Sequence, residues 1–301
     1  MNNVNTIDIN NFNGMAQAMG MNADMTTKKA TLQLARLKLQ HSPIMGEVEV
    51  KGKKTQAAIV NGGSYKIEDI ADDGRTFYSE SVTIRPYVQR FMYKKFDNSS
   101  GKAFYVKTVM ADNLNTDLKD NAGGFNCGKP AGWIKDYNSL PESTKKLLKS
   151  IKRVRVFIGT LTAKGVITGD GVELNDVVDL PFIWEIDNRD AFKIMGEPIS
   201  RIGSLKHLPV QYEIALGSTE RKGNIGTFYL PSGTLSKDVH EVTDEVQERF
   251  GDFMQWIENY NVYVFNSWKD KAEPAELSKE DSALVEYFVK VDKALDDEIP
   301  F

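Results

Sequence analysis

Residues 153–174 read "RVRVFIGTLTAKGVITGDGVEL", and this stretch decides the fold class. Charged or small residues alternate with branched apolar ones, and glycines stand at 159, 165, 169 and 171. Period two is a strand period, because successive side chains on an extended backbone point to opposite faces. Arg153, Arg155 and Phe157 then share one face, and Val154, Val156 and Ile158 share the other. The glycines supply turns between short strands.

The same pattern recurs on both sides. "KKATLQLARLKLQHSP" (28–43) sets Leu32, Leu34, Leu37 and Leu39 in two alternating pairs with a phase slip, which suits a strand with a bulge. "GEVEVKG" (46–52) and "TQAAIVNGGSYKI" (55–67) read as hairpin strands. In "DLPFIWEID" (179–187) Phe182, Trp184 and Ile186 share a face. In "LPVQYEIALG" (208–217) Val210, Tyr212, Ile214 and Leu216 do so, and "IGTFYLPSGTL" (225–235) closes the series. The expectation is a mainly β fold with added helices: an oligonucleotide-binding (OB-fold) barrel over 27–236. Insertions are expected near 112–150, with a helix in "PESTKKLLKSIK", and near 187–207, read as a loop.

The period changes after residue 236. Val242, Val246, Phe250, Phe253, Ile257 and Val264 follow helical spacing, and a second helix is expected from Ser278, with Asp281 in capping-box position. Residues 237–293 are therefore a helical C-terminal section, and 294–301 an acidic tip. Residues 1–26, rich in Asn, Met and Gly, read as a flexible arm.

Composition narrows the function. No apolar run approaches the roughly 18 residues of a membrane span, and the N-terminus lacks the basic lead and apolar segment of a secretory signal. Cys127 is the only cysteine, which fits a reducing cytoplasm, the host's if the chain is viral. His41, His207 and His240 form no zinc spacing with it, so neither metal nor cofactor is expected. The net charge of −4 hides an asymmetry: residues 84–155 hold 15 basic and 6 acidic residues, and residues 237–301 hold 7 and 17. A basic body with an acidic tail suits a polyanion ligand.

Three places carry that chemistry. "RPYVQRFMYKKF" (85–96) interleaves Arg85, Arg90, Lys94 and Lys95 with Tyr87, Phe91, Tyr93 and Phe96. Single-stranded nucleic acid asks for this mixture, since cations neutralise phosphates and aromatic rings stack on unpaired bases. "AFYVKTVM" (103–110) puts Tyr105, Lys107 and Val109 on one face and Phe104, Val106, Thr108 and Met110 on the other. With Arg153 and Arg155, these strands present a basic-aromatic face opposite an apolar one. "GGFNCGKPAGWIKDY" (123–137) mimics part of a phosphate-binding loop through Gly123, Gly128 and Lys129. Pro130 stands where Ser or Thr would hold magnesium. The stretch is better read as a groove rim carrying Lys129, Trp133 and Lys135. Asp112, Asp117 and Asp120 are acids of the kind that hold magnesium in nucleases, but solvated loop acids are the usual reading. Cys127 is read as a structural thiol, and the chain as non-enzymatic.

The final seven residues, "LDDEIPF", resemble the terminal tip of bacterial single-stranded DNA-binding proteins and of phage replication proteins with the same role. The resemblance implies an OB-fold body. It also implies that Asp296, Asp297, Glu298, Ile299, Pro300 and Phe301 recruit replication or recombination proteins, the ring entering an apolar pocket and the carboxylates meeting a basic rim. Two departures mark this chain: a helix replaces the long Gly/Gln/Pro-rich linker, and the zinc site of some phage versions has no counterpart. The function expected is sequence-independent binding of single-stranded DNA in replication, recombination and repair. The tip would compete for the basic groove, in cis or across a homodimer. The competing reading is a virion structural or assembly protein with a C-terminal docking peptide.

Overall fold

A computed structural model of the chain describes residues 32–50, 52–69, 74–98, 103–130, 134, 136–223 and 226–271. The N-terminal arm, Trp133, Lys135, the helix expected from Ser278 and the tip at 294–301 lie outside the described residues.

The strands are β1 (Ala35–Leu39), β2 (Ile44–Val50), β3 (Lys53–Val60), β4 (Tyr65–Asp69), β5 (Arg75–Ser79) and β6 (Ser81–Asp97). They continue with β7 (Phe104–Lys107), β8 (Ile151–Lys164), β9 (Ile167–Thr168), β10 (Val177–Ile186), β11 (Ile214–Gly223) and β12 (Gly226–Leu235). The helices are α1 (Glu142–Ser150), α2 (Arg189–Ile194), α3 (Gly196–Ser204) and α4 (Asp244–Lys271). All belong to the unit that begins at Gln33. The fold is mainly β with a few helices. The loop expected near 187–207 is instead α2 and α3, started by Asn188, whose Oδ1 accepts from the N–H groups of Asp190 and Ala191. Val210 sits in a 3-10 turn ahead of β11 rather than in a strand.

Nine strands form one path in the order β12-β11-β6-β8-β10-β1-β4-β5-β9, with β7 added beside β6; β2 and β3 pair as a separate ribbon. β1 runs parallel to β10, and the other ladders are antiparallel. The path is open. Its ends are β12 and β9, and no ladder joins them among the described residues, so the expected closed barrel is not formed. The sheet nevertheless curls around one core, to which β1, β4, β5, β6, β8, β10, β11 and β12 all contribute. Tyr65 on β4 reaches across it and donates to the Gly217 carbonyl on β11 at 2.8 Å.

β6 carries Pro86 in the middle of the sheet, where proline is normally excluded. The ladder to β8 is irregular between Pro86 and Val88, so the missing N–H falls at a bulge. Opposite lies Gly159, where a Cβ would stand 2.1 Å from the Arg85 carbonyl oxygen. The two residues together let β6 bend, pairing its first part with β11 and its whole length with β8.

Pairing also sorts the faces of β8. Phe157 and Leu161 point into the main core. Val154, Val156 and Ile158 share the other face with their partners Met92, Arg90 and Val88. The sequence reading placed that apolar triplet in the interior and Phe157 beside the ligand; the triplet is buried but outside the main core, and Phe157 is fully buried within it. α4 covers the outer face. Its Tyr260 hydroxyl lies 3.7 Å from Met92 Sδ and donates to the Thr108 carbonyl at 3.1 Å. Asn261 pairs with both backbone polar groups of Met110, at 2.7 and 3.0 Å. Val246, Phe253, Ile257 and Val264 are the buried residues of this helix.

Candidate nucleic-acid interface

Beyond residue 90, β6 and β8 run past the ends of β11 and β10. The β10 ladder stops at Ile186, opposite Arg155, while β6 continues along β8 to the pair Lys95–Ile151. β7 lines the other side, pairing Lys94 with Lys107 and Phe96 with Tyr105. Residues directly opposite each other share a face. Lys94, Phe96, Tyr105, Lys107 and Lys152 therefore stand on one side of a projecting ribbon. Phe96 and Tyr105 are each 52% exposed, with centroids 5.3 Å apart and planes at 62°. Lys94 Nζ lies 5.3 Å from the Tyr105 centroid.

The end of β10 delivers two carboxylates to these lysines. Lys94 Nζ is 2.7 Å from Asp187 and 3.5 Å from Glu185, and Lys107 Nζ is 2.6 Å from Glu185. Burial pulls the Lys94 pKa down, but its hydrogen bond to Asp187 and the two negative charges outweigh this, so the net shift is upward.

The opposite side of the ribbon carries Phe91, Tyr93, Lys95, Arg153 and Arg155. There α2 adds Phe192, a half-buried ring 5.9 Å from Phe91. The Arg155 guanidinium lies 4.5 Å from the Phe192 centroid and 5.1 Å from that of Phe91. Its Nε donates to the Phe192 carbonyl at 3.0 Å, and its Nη1 donates to Gln89 Oε1. Any Cβ on Gly196 would come within 2.5 Å of the guanidinium. Burial lowers the Arg155 pKa, and its donors are turned inward. Arg153 is exposed, its guanidinium 5.8 Å from Phe192.

Several sequence candidates take other places. Tyr87 and Tyr93 are buried and offer no free ring face: Tyr87 packs edge-on against Phe253 at 5.1 Å, and Tyr93 belongs to a second small core with Val106, Leu118, Cys127 and Ile151. Lys129 folds over Tyr93, its Nζ 5.2 Å from the centroid; burial first, then the Arg153 charge, pushes its pKa down. Arg85 Nε donates to the Val210 carbonyl at 2.6 Å. Arg90 donates to its neighbour's carbonyl and reaches Met254 Sδ at 3.5 Å, and Lys95 pairs with Asp97 at 3.2 Å. Tyr105, Lys107 and Arg153 remain at the surface as expected. Trp133, Lys135 and residues 296–301 lie outside the described residues.

The glycine-rich loop cannot cradle a phosphate, because an internal carboxylate already fills it. Asp120 is 2% exposed; its Oδ1 accepts from the N–H groups of Ala122 and Gly124, and its Oδ2 from that of Cys127, at 2.9–3.0 Å. Asn126, Cys127 and Gly128 all have positive φ, so the chain wraps tightly around this oxygen pair. Asp117 accepts from the Asn126 side chain at 2.6 Å. Asp112 and Asp117 are exposed loop acids as expected, whereas Asp120 is buried, and no cluster that could hold a metal ion occurs among the described residues. The Cys127 thiol is buried, and burial, then Asp120, pushes its pKa up to about 12.

Phe192, Glu185 and Asp187 were missed by the sequence reading. The only available signal for the two acids is their outward phase in "DLPFIWEID", opposite Trp184 and Ile186. Among the described residues no helix is long and apolar enough to cross a membrane. Comparisons with protein-family models, with curated proteins and with solved structures return no match to this chain.

Proposed function

We propose that this chain binds single-stranded nucleic acid, single-stranded DNA in the first place, without sequence preference. The observation that carries the reading is the exposed Phe96–Tyr105 ring pair set among Lys94, Lys107 and Lys152. Rings offer stacking faces to any base, and the lysines offer charge to the backbone. The connectivity supports it. β6, β8 and β10 form a meander, helices follow, and β11 returns beside β6 with β12 outside it. We read this order as compatible with an opened OB-like sheet, in which β1 lies next to β10 and the barrel stays unclosed. The ring surface grows from the connection between the first two strands of this set, a customary ligand position for such folds. α4 already covers the middle of the outer face, so the strand would follow the projecting ribbon.

Anisotropy with labelled oligothymidylate tests this against duplex of equal length. Tyr105→Ala and Phe96→Ala should each weaken single-strand binding by roughly 1–3 kcal/mol, about 5- to 150-fold. Equal affinity for duplex, or no loss in either variant, would sink the reading. The competition between the acidic tip and DNA belongs to the same proposal. Deleting residues 294–301 should tighten binding most at low salt; unchanged affinity removes the competition and leaves the binding surface standing.

A further inference from the structure

We infer that Glu185 and Asp187 are built-in competitors for the phosphates of a bound strand: they hold the ammonium groups of Lys94 and Lys107 until the backbone displaces them. The inference rests on the binding surface proposed above and specifies how its affinity is set.

The distances are those of charge-assisted contacts, 2.7 Å from Lys94 to Asp187 and 2.6 Å from Lys107 to Glu185. A phosphate oxygen would take the same place on each ammonium. The two sides of these pairs differ in freedom. Glu185 is fixed in the ladder opposite Val156, and Asp187 directly precedes the Asn188 cap of α2. Lysine is a point charge on a flexible stem with three rotatable donors, so its head can pass from one acceptor to another without moving the backbone. Lys94, Lys107 and Lys152 face two carboxylates, which leaves one positive charge uncompensated on the ring surface. Lys38–Glu68 on β1 and β4 is a second exposed-sheet ion pair, away from the Phe96–Tyr105 rings, and serves as the comparison.

A surface so compensated binds by stacking first and by charge second. For a single strand, log K falls against log salt with a slope of about −0.7 for each phosphate neutralised. Freeing one lysine from its carboxylate adds up to one such contact, which near 0.1 M salt corresponds to roughly fivefold in affinity. Glu185→Gln and Asp187→Asn keep side-chain size and an acceptor oxygen, so each alone is compatible with the fold.

The experiment is an anisotropy titration of the full chain with one oligothymidylate over a salt series. Each single variant should bind roughly fivefold tighter near 0.1 M salt, with a slope steeper by about 0.7. Glu68→Gln should change neither quantity. Lys107→Gln should cost more affinity in the Glu185→Gln background than in the unmodified chain, because only there is its charge fully available. An unmodified chain that binds, with variants of unchanged affinity and slope, overturns the competition and spares the binding surface. An unmodified chain that does not prefer the single strand overturns both.

Discussion

Phe253→Ala is expected to lower the stability of the whole unit by about 3–5 kcal/mol, the usual loss for deleting a fully buried ring. Stabilities of about 5–15 kcal/mol are typical, so the loss is a large fraction of the total. The side chain is completely buried and meets the Tyr87 ring at 5.1 Å, beside the bulge that bends β6. It therefore ties α4 to the point where the sheet changes direction. The helix packs on Tyr87, Arg90 and Met92 of β6, and Val154, Val156 and Ile158, which share a face with Met92, Arg90 and Val88, are inaccessible to water. These three β8 residues have neither rings nor charges, so they are no ligand surface in waiting, and uncovering them brings only apolar exposure. A urea denaturation followed by tryptophan fluorescence measures the effect. If α4 were an appendage that leaves the sheet readily, the midpoint would stay where it is, and the outer face would have to be reconsidered as a place for DNA.

The same helix shows what could be read from sequence and what could not. Helical spacing located α4, and four of the six residues assigned to its stripe are buried: Val246, Phe253, Ile257 and Val264. Phe250 keeps 45% of its surface exposed and Val242 lies ahead of the helix, because periodicity defines a stripe without saying how far the partner sheet extends. In β8 the alternation was legible but the direction was not. A strand buried on both faces has two apolar faces, and only the register with β6 and the position of α4 tell inside from outside. Arg155 was expected at the surface on charge alone. Its burial depends on Phe192, Gln89 and Gly196, which come from α2, β6 and the start of α3. Period two put Tyr105 and Lys107 on one face of β7 and they share it in the ladder, but Phe104, expected on the covered face with Val106, is 40% exposed because it lies at the free end of the ribbon. The compensating acids were invisible for another reason: nothing local links "WEID" to residues 94 and 107, and the pairing arises only when β10 joins β8.

Asp120→Ala should be nearly as costly, and its effect should reach the ring surface. The carboxylate accepts three backbone N–H groups, one of them, from Cys127, fully buried. Hydrogen bonds to a charged group contribute roughly 1.5–3 kcal/mol each; with water replacing the two outer ones, the expected net loss is about 3 kcal/mol. Asn126 and Cys127 hold left-handed conformations that side-chain-bearing residues rarely adopt; without Asp120, Asn126 keeps its bonds to Leu118 and Asp117, but the buried Cys127 N–H loses its acceptor. The loop in turn supports β7. Thr108 bridges Asp120, and Asn121 bonds both backbone polar groups of Lys107, at 3.0 and 3.1 Å. Loosening the loop should free Tyr105 and Lys107 from their register with Phe96 and Lys94 and weaken oligothymidylate binding along with stability. Asp120→Asn separates shape from charge. Its amide nitrogen can only donate, so at least one of the three N–H groups loses its acceptor, and an intermediate loss is expected. The check is a pair of measurements on each variant, the denaturation midpoint and the oligothymidylate affinity below that midpoint. A lowered midpoint with undiminished affinity would show that β7 keeps its register through the β6 ladder alone, and that the loop is a stability element without a share in the binding surface.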